Sequence, residues 1–513
     1  MTVNSRNKPF KQRCFIMVLL ALTCAGSGKR HDSVDQGGTA LVEKWPDKSI
    51  VEQAAGSDGT FGPIKLHPDN PHYFQWRGRP TILITSGEHY GGVLNGDFEY
   101  EKYLDTLGAY RFNLTRVFSG AYCEPAGAFN IRNNTLAPAQ GRLLCPWARS
   151  NTPGYENGGN KFDLAKWDQA YFARLREFVA DAGRRGIVVE FVMFCPFYDD
   201  SMWKLSPLNA ANNINGVGRI RRYDVFTMRD KKLTAVQDAM VRKIVEELNG
   251  FDNLYYEICN EPYERGGQTE AWQEHIAEVI AETEADLPNR HLIAQNLPWR
   301  KQNLPRGSTG RVMPIKRASV LNFHGASPPE PAVLYYDLNK VIAYDETGGR
   351  SSRPEPYRIG GWEFIIAGGG VYDHLDFSFS VGHEDGSGVV SAPGGGGAEL
   401  RKQLSILTHF MHGFDFIRMQ PANSVIKNGV PEDATARVLA EEGRAYAIYI
   451  NGGRKAELTV ELPSGGYRAD WINTKTGNID KTYSFEHDGG DHTLSSPKYI
   501  RDIALRILNA ARE

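Results

Sequence analysis

Two glutamates close apolar runs in this chain, each where a side chain can do acid–base chemistry. The run Leu254-Tyr255-Tyr256-Glu257-Ile258-Cys259 stops at Asn260-Glu261-Pro262, and Val341-Ile342-Ala343-Tyr344 stops at Asp345-Glu346-Thr347-Gly348. Short apolar runs that end on Pro or Gly read as buried parallel strands emerging into loops. A carboxyl group there can give a proton to a leaving oxygen, and a second can attack carbon or activate water. Across the mouth of a barrel, at about 5 to 5.5 Å apart, such a pair would cleave a glycosidic bond with retention. A single glutamate is ordinarily a solvated loop residue; two at strand ends of one fold form a candidate catalytic pair. Asp345 is the alternative to Glu346, because neighbours on a strand point to opposite faces and only one of them can face the mouth.

The elements that must position this pair alternate between strand and helix. Strand-like runs occupy 81–85, 112–118, 187–194, 254–259, 291–296, 319–324, 341–344 and 370–377. Between them lie helical stripes: Tyr100, Tyr103, Leu104 and Leu107 behind a cap at Asp97; Phe172, Leu175, Val179 and Ala182; Val236, Met240, Ile244 and Leu248; Trp272, Ile276, Val279 and Ile280; and finally Leu400, Leu404, Leu407 and Met411. Eight alternations favour an α/β protein of the (β/α)8 TIM-barrel type over an open doubly wound sheet, and no Gly-rich phosphate loop argues for the latter. Glu261 then comes after the fourth strand and Glu346 after the seventh. A hairpin turning at Arg77-Gly78 precedes the barrel. Segment 119–162, rich in Gly, Pro and Asn and without strand signals, is too long for a plain connector and reads as a wall of the cleft. Beyond 421 the pattern changes to strand-like runs at 445–450, 456–462 and 467–472, which indicate a small antiparallel β-sandwich.

The domain reading is a signal peptide at 1–26, a flexible lead-in at 27–60, the barrel at 61–420 and the sandwich at 421–513. Lys8, Lys11 and Arg13 precede an apolar run at 14–22 and the small residues Thr23-Cys24-Ala25-Gly26, the order of a secretory signal, and the run is short for a membrane span. Export to the periplasm, cell surface or medium is the expectation, with ordinary cleavage or a lipid anchor at Cys24 as alternatives. In an exported chain Cys123 and Cys145 could close a loop disulfide, whereas Cys195 and Cys259 end apolar strands and read as buried free thiols. The cysteine spacing fits no zinc site, and neither metal nor cofactor is expected. A net charge of −2 with dispersed basic residues leaves no nucleic-acid footprint. The expected partner is a polysaccharide or oligosaccharide.

Asn260-Glu261-Pro262 after one strand and Glu346-Thr347-Gly348 after a later one resemble clan A of the retaining glycoside hydrolases, the cellulase and β-mannanase type of (β/α)8 enzyme. The resemblance covers about 64–415. It implies Glu261 as acid/base, Glu346 as nucleophile and Asn260 as donor to a sugar 2-hydroxyl. It also implies that Arg116 lies beneath the nucleophile and keeps it ionised, and that His324 in Asn322-Phe323-His324 lines the catalytic subsite. Glu88, His89 and Trp299 stand as sugar contacts. The tail resembles small bacterial β-domains of the collagen-binding type. Departures concern specificity: Ala326 stands where many relatives carry Tyr, Cys195-Pro196-Phe197-Tyr198 where many carry His, and only Phe377 and Phe379 where many carry a Trp. A carbohydrate-binding or adhesion protein that keeps the barrel without turnover is the competing reading.

Overall fold

The structure is a computed structural model and describes residues 61–87, 90–262, 269–298, 312–349, 351–389 and 394–510. The chain enters through three short strands, β1 (Lys65–Leu66), β2 (Phe74–Trp76) and β3 (Arg79–Thr81). Arg77 and Gly78 turn β2 into β3 with φ of 48° and 74°, the left-handed pair that matches strand twist in a tight hairpin. This hairpin plugs the floor of the barrel. Phe74 and Trp76 join one cluster with Leu83, Leu114, Val188, Tyr255, Val320, Val341 and Val371, and Arg77 and the Trp76 indole both donate to Asp252.

The barrel strands are β4 (Leu83–Ile84), β5 (Leu114–Phe118), β8 (Val188–Phe194), β9 (Leu254–Cys259), β10 (Ile293–Leu297), β11 (Val320–Phe323), β12 (Val341–Thr347) and β13 (Val371–His374). They form a parallel sheet in the order β4-β13-β12-β11-β10-β9-β8-β5. Side-chain bonds bring β4 and β5 together: the Asn113 amide accepts from Ile84 N–H at 3.0 Å and donates to Ile82 C=O at 2.8 Å. This is the expected eight-stranded barrel, with β12 running on through Asp345 and Glu346.

The helices are α1 (Tyr100–Ala109), α2 (Gln169–Arg184), α3 (Asp200–Leu205), α4 (Lys231–Leu248), α5 (Glu270–Ala285), α6 (Glu330–Tyr335), α7 (Glu355–Ile366) and α8 (Ala398–His412). Asp168 and Asp230 cap α2 and α4 by accepting from the first free N–H groups. Asp97 does not cap α1. The helix starts after Glu99 without a side-chain cap, and Arg142 takes the Asp97 carboxylate at 2.5 Å. Nor is 119–162 strandless: β6 (Trp147–Pro153) pairs with β7 (Asn160–Trp167). Polar residues such as Arg149, Asn151 and Lys161 hid this hairpin from hydropathy alone. Among the described residues no helix is long and apolar enough to cross a membrane.

After the barrel come β14 (Gln420–Pro421), β15 (Ile426–Asn428), β16 (Thr435–Glu441), β17 (Ala445–Asn451), β18 (Glu457–Leu462), β19 (Gly465–Ile472), β20 (Ile479–His487), β21 (Gly490–Ser495) and β22 (Asp502–Asn509). They make a six-stranded and a three-stranded antiparallel sheet, packed over Val438, Ile448, Leu458, Val460, Trp471 and Leu505. The sandwich docks on α7. Trp362 stacks on Tyr449 with centroids 5.4 Å apart, and buried Arg358 pairs with buried Asp502 at 2.6 Å. Tyr449 and Thr474 also donate to that carboxylate, so the docked pair is hydrogen-bonded as well as charged.

Candidate active site

Residues two apart on a strand share a face, and the inward positions of the barrel strands show what this places above the apolar floor. Arg116 stands two beyond Leu114, Glu190 beyond Val188, Glu257 beyond Tyr255, Asn322 beyond Val320, Asp345 beyond Ala343 and Asp373 beyond Val371; all six upper residues are fully buried. Arg116 is the hub. Its guanidinium meets Glu257 at 2.7 Å, Asp345 at 3.3 Å and the Asn260 side-chain oxygen at 2.8 Å. Asn322 donates to Glu190 and Glu257, each at 2.7 Å, and Tyr255 donates to Glu190.

One Arg does not balance this many carboxyls, and their titration divides accordingly. Burial pushes Glu190 and Asp373 well above the usual carboxylate range, with neighbouring carboxylates adding to it. Burial also works against ionised Asp345, but Arg116 and His324 outweigh it and hold that carboxyl low. His324 Nε2 lies 2.7 Å from the Asn296 side-chain amide and 3.0 Å from Asp345. Burial alone would lower its pKa; Glu346, Asp345 and Glu261 around it raise it well above the usual value.

Glu261 and Glu346 sit on this layer at the mouth, with 27% and 26% of their side chains accessible. Nδ1 of His324 reaches Glu261 at 3.2 Å and Glu346 at 3.4 Å, and carboxylate oxygens of the two glutamates lie within 4.8 Å of each other. Arg116 approaches Glu346 at 3.8 Å. Glu261 has φ 39°, a left-handed conformation that costs a non-glycine residue about 1–3 kcal/mol and clusters at functional sites.

Strand alternation fails at Asp345-Glu346. The pairing of β12 with β13 shifts register between Tyr344 and Thr347, and such an irregularity lets successive side chains take the same side. Both carboxyls therefore meet one imidazole, Asp345 from within the barrel and Glu346 from the mouth.

Two tyrosines complete the site. The phenol that reaches Glu346 comes from Tyr90, on the loop after β4; its hydroxyl donates to the carboxylate and accepts from Arg116. Tyr198 donates to Glu261 at 2.9 Å and accepts from the Asn260 amide at 3.0 Å. Neither carries a sequence signal of its own, although Tyr198 ends the Cys195–Tyr198 departure and Tyr90 directly follows His89. Burial pushes the Glu346 carboxyl up against the pull of His324 and Arg116. Glu261, despite its burial, is held low by His324 and Tyr198.

Of the expected site residues, Glu261, Glu346, Asn260, Arg116 and His324 converge. Glu88, His89 and Trp299 lie outside the described residues, as does the segment 1–60 with its signal and Cys24. Two carboxylate groupings, Glu261-His324-Glu346 and Glu190-Glu257-Asp345, have donors close enough to hold an ion; in the inner one Arg116 supplies the positive charge. All four described cysteines are free and buried. Cys123 points to the Tyr155 hydroxyl and Leu205 carbonyl, and Cys145 to the Trp147 carbonyl, so the expected loop disulfide is absent.

No family model matches the sequence, and no curated protein matches it either. Solved structures do. A candidate glycoside hydrolase from Bacteroides vulgatus ATCC 8482 superposes with a TM-score of 0.61 at 14% identity, over 88% of this chain and 83% of that one. A glycoside hydrolase family 5 structure from the same organism gives 0.57 at 15% identity, over 88% and 94%. The likeness is one of fold, a barrel used by glycoside hydrolases.

Proposed function

We propose that the protein is an exported retaining glycoside hydrolase that cleaves β-glycosidic bonds of a polysaccharide or oligosaccharide by double displacement. The observation that carries this reading is the approach of a carboxylate oxygen of Glu261 to one of Glu346, within 4.8 Å at the barrel mouth. Retaining enzymes hold their carboxyls about 5–5.5 Å apart, whereas inverting ones leave about 6.5–9.5 Å for a water. The barrel likeness and the resemblance of Asn260-Glu261-Pro262 and Glu346-Thr347-Gly348 to clan A support it.

In this mechanism a Glu346 oxygen attacks the anomeric carbon while Glu261 protonates the departing glycosidic oxygen. The carbon–oxygen bond breaks and the sugar remains esterified to Glu346. Glu261, now a carboxylate, takes a proton from water as that water attacks the same carbon and frees Glu346. Tyr90 and Arg116 stabilise Glu346 each time it carries charge. Asn260 has one amide N–H on Tyr198 and a long contact to the Cys195 thiol at 3.7 Å; a sugar 2-hydroxyl would replace that weak contact.

The cycle begins with the proton on Glu261, whereas in the free protein His324 and Tyr198 hold the Glu261 carboxyl low and burial pushes that of Glu346 up. Carboxyls this close titrate as a pair, and a glycosidic oxygen accepting from Glu261 draws the proton across. The opposite directions of the two shifts nevertheless favour one second reading, in which the two roles are exchanged. Azide added to Glu261→Ala and Glu346→Ala, with a dinitrophenyl β-glycoside, separates them. The expected products are β-glycosyl azide from Glu261→Ala and α-glycosyl azide from Glu346→Ala; the opposite products exchange the roles. Oligosaccharide binding by the unaltered protein without any released sugar would instead favour the adhesion reading.

A further inference from the structure

On the loop after β5, Phe129 exposes 48% of its surface and has φ 52°, a conformation a bulky residue rarely adopts. Gly127, Asn130 and Asn133 beside it are left-handed too, but glycine and asparagine tolerate this and phenylalanine does not. A lone exposed ring needs no explanation; one held outward by a strained and anchored loop does.

The anchor lies at the base of the loop. Glu124 is almost fully buried; its N–H donates to the Leu136 carbonyl at 2.7 Å, and its carboxyl accepts from Tyr122 at 2.9 Å and Asn134 at 2.5 Å. Asn134 in turn accepts from Leu136 N–H at 2.9 Å. Residues 125–133 therefore project from a closed polar clasp. At their tip Phe129 meets Tyr198 edge-on, centroids 5.6 Å apart at 87°, and the Tyr198 hydroxyl is the donor to Glu261. The exposed ring is thus one tyrosine away from the carboxylate pair.

We infer that Phe129 is a stacking platform for a pyranose ring of the substrate chain, next to the sugar held by Glu261 and Glu346. The C–H face of a pyranose is apolar while its rim is polar, so it covers an aromatic ring without stranding its hydroxyls. The substrate class is then a β-linked chain of at least two pyranoses. This rests on the carbohydrate reading above but does not need turnover.

The test uses the full chain carrying Glu346→Gln, to prevent hydrolysis, titrated calorimetrically with β-linked gluco-, manno-, xylo- and galacto-hexasaccharides and with the matching methyl β-monoglycosides. Adding Phe129→Ala should weaken hexasaccharide binding about tenfold or more and change monoglycoside binding by less than about twofold, with Phe129→Trp restoring the affinity. Equal hexasaccharide affinity with and without the ring overturns the platform and leaves the proposed function standing. Failure of the parent to bind any of these sugars overturns both. A Phe129→Ala loss that Phe129→Trp does not recover assigns the effect to loop structure and also overturns the platform.

Discussion

Inside the barrel two layers sit on the same strands, two residues apart, with opposite chemistry. The lower layer is Leu83, Leu114, Val188, Tyr255, Ala294, Val320, Ala343 and Val371, closed from below by Phe74 and Trp76. The upper layer is Thr85, Arg116, Glu190, Glu257, Asn296, Asn322, Asp345 and Asp373, equally buried. Apolar burial stabilises the first outright. The second removes charge from water, which replacement by packed hydrocarbon would usually match or better. Its contribution lies in placement: through Arg116 and His324 it fixes where Glu261 and Glu346 stand and how they share protons. The lower layer makes the barrel stable and the upper layer makes it useful.

The largest expected effect comes from substituting neighbours on β5. Arg116→Met leaves Glu257 without its cation and Asp345 with His324 alone, and should cost about 3–5 kcal/mol in urea unfolding. Turnover should fall on the order of 10²–10³-fold through lost charge stabilisation. Leu114→Ala should cost about 2–5 kcal/mol through its cavity, yet leave kcat within about twofold below its melting temperature, since the floor serves stability. Equal losses of kcat in the two variants would erase the distinction between the layers.

A buried carboxyl outside the barrel sharpens the same point through pH. Burial pushes Glu124 from an ordinary 4.5 up to about 7, against the hydrogen bonds from Tyr122 and Asn134. Between those values the folded protein holds a proton that the unfolded chain has released, so stability falls as pH rises through the window and levels off above about 7. The loss amounts to about 3 kcal/mol. Glu124→Gln should flatten this decline in melting curves taken from pH 4 to 8; an unchanged slope would place the titration elsewhere. The smallest effect belongs to Glu190→Gln. Burial pushes the Glu190 carboxyl well above the usual carboxylate range, so the amide should change stability by less than about 1 kcal/mol, and a large loss would show an ionised Glu190.

Much of this architecture was legible in the chain because hydrophobic period and turn residues are local signals. The eight strands, the Arg77-Gly78 turn and the order of Glu261 and Glu346 come from them. Charges inside strands were present in the sequence too, as Arg116, Glu190 and Glu257 in otherwise apolar runs, but their mutual pairing depends on barrel closure. Tyr90 and Tyr198 were not readable because loops from different strands bring them to the carboxylates. The Asp345-Glu346 irregularity escaped for the opposite reason: strict alternation is the local rule, and the pairing with β13 overrides it. The β6–β7 hairpin, polar along its length, gave hydropathy nothing to register.

The most direct test of the central claim is covalent trapping. The protein is incubated in turn with activated 2-deoxy-2-fluoro β-glucoside, β-mannoside, β-xyloside and β-galactoside, then digested and mapped by mass spectrometry. Double displacement through Glu346 predicts one fluoroglycosyl group on the peptide carrying Glu346, attached at that residue. A label on Glu261 or Asp345, or turnover to the inverted anomer with no label, would contradict it.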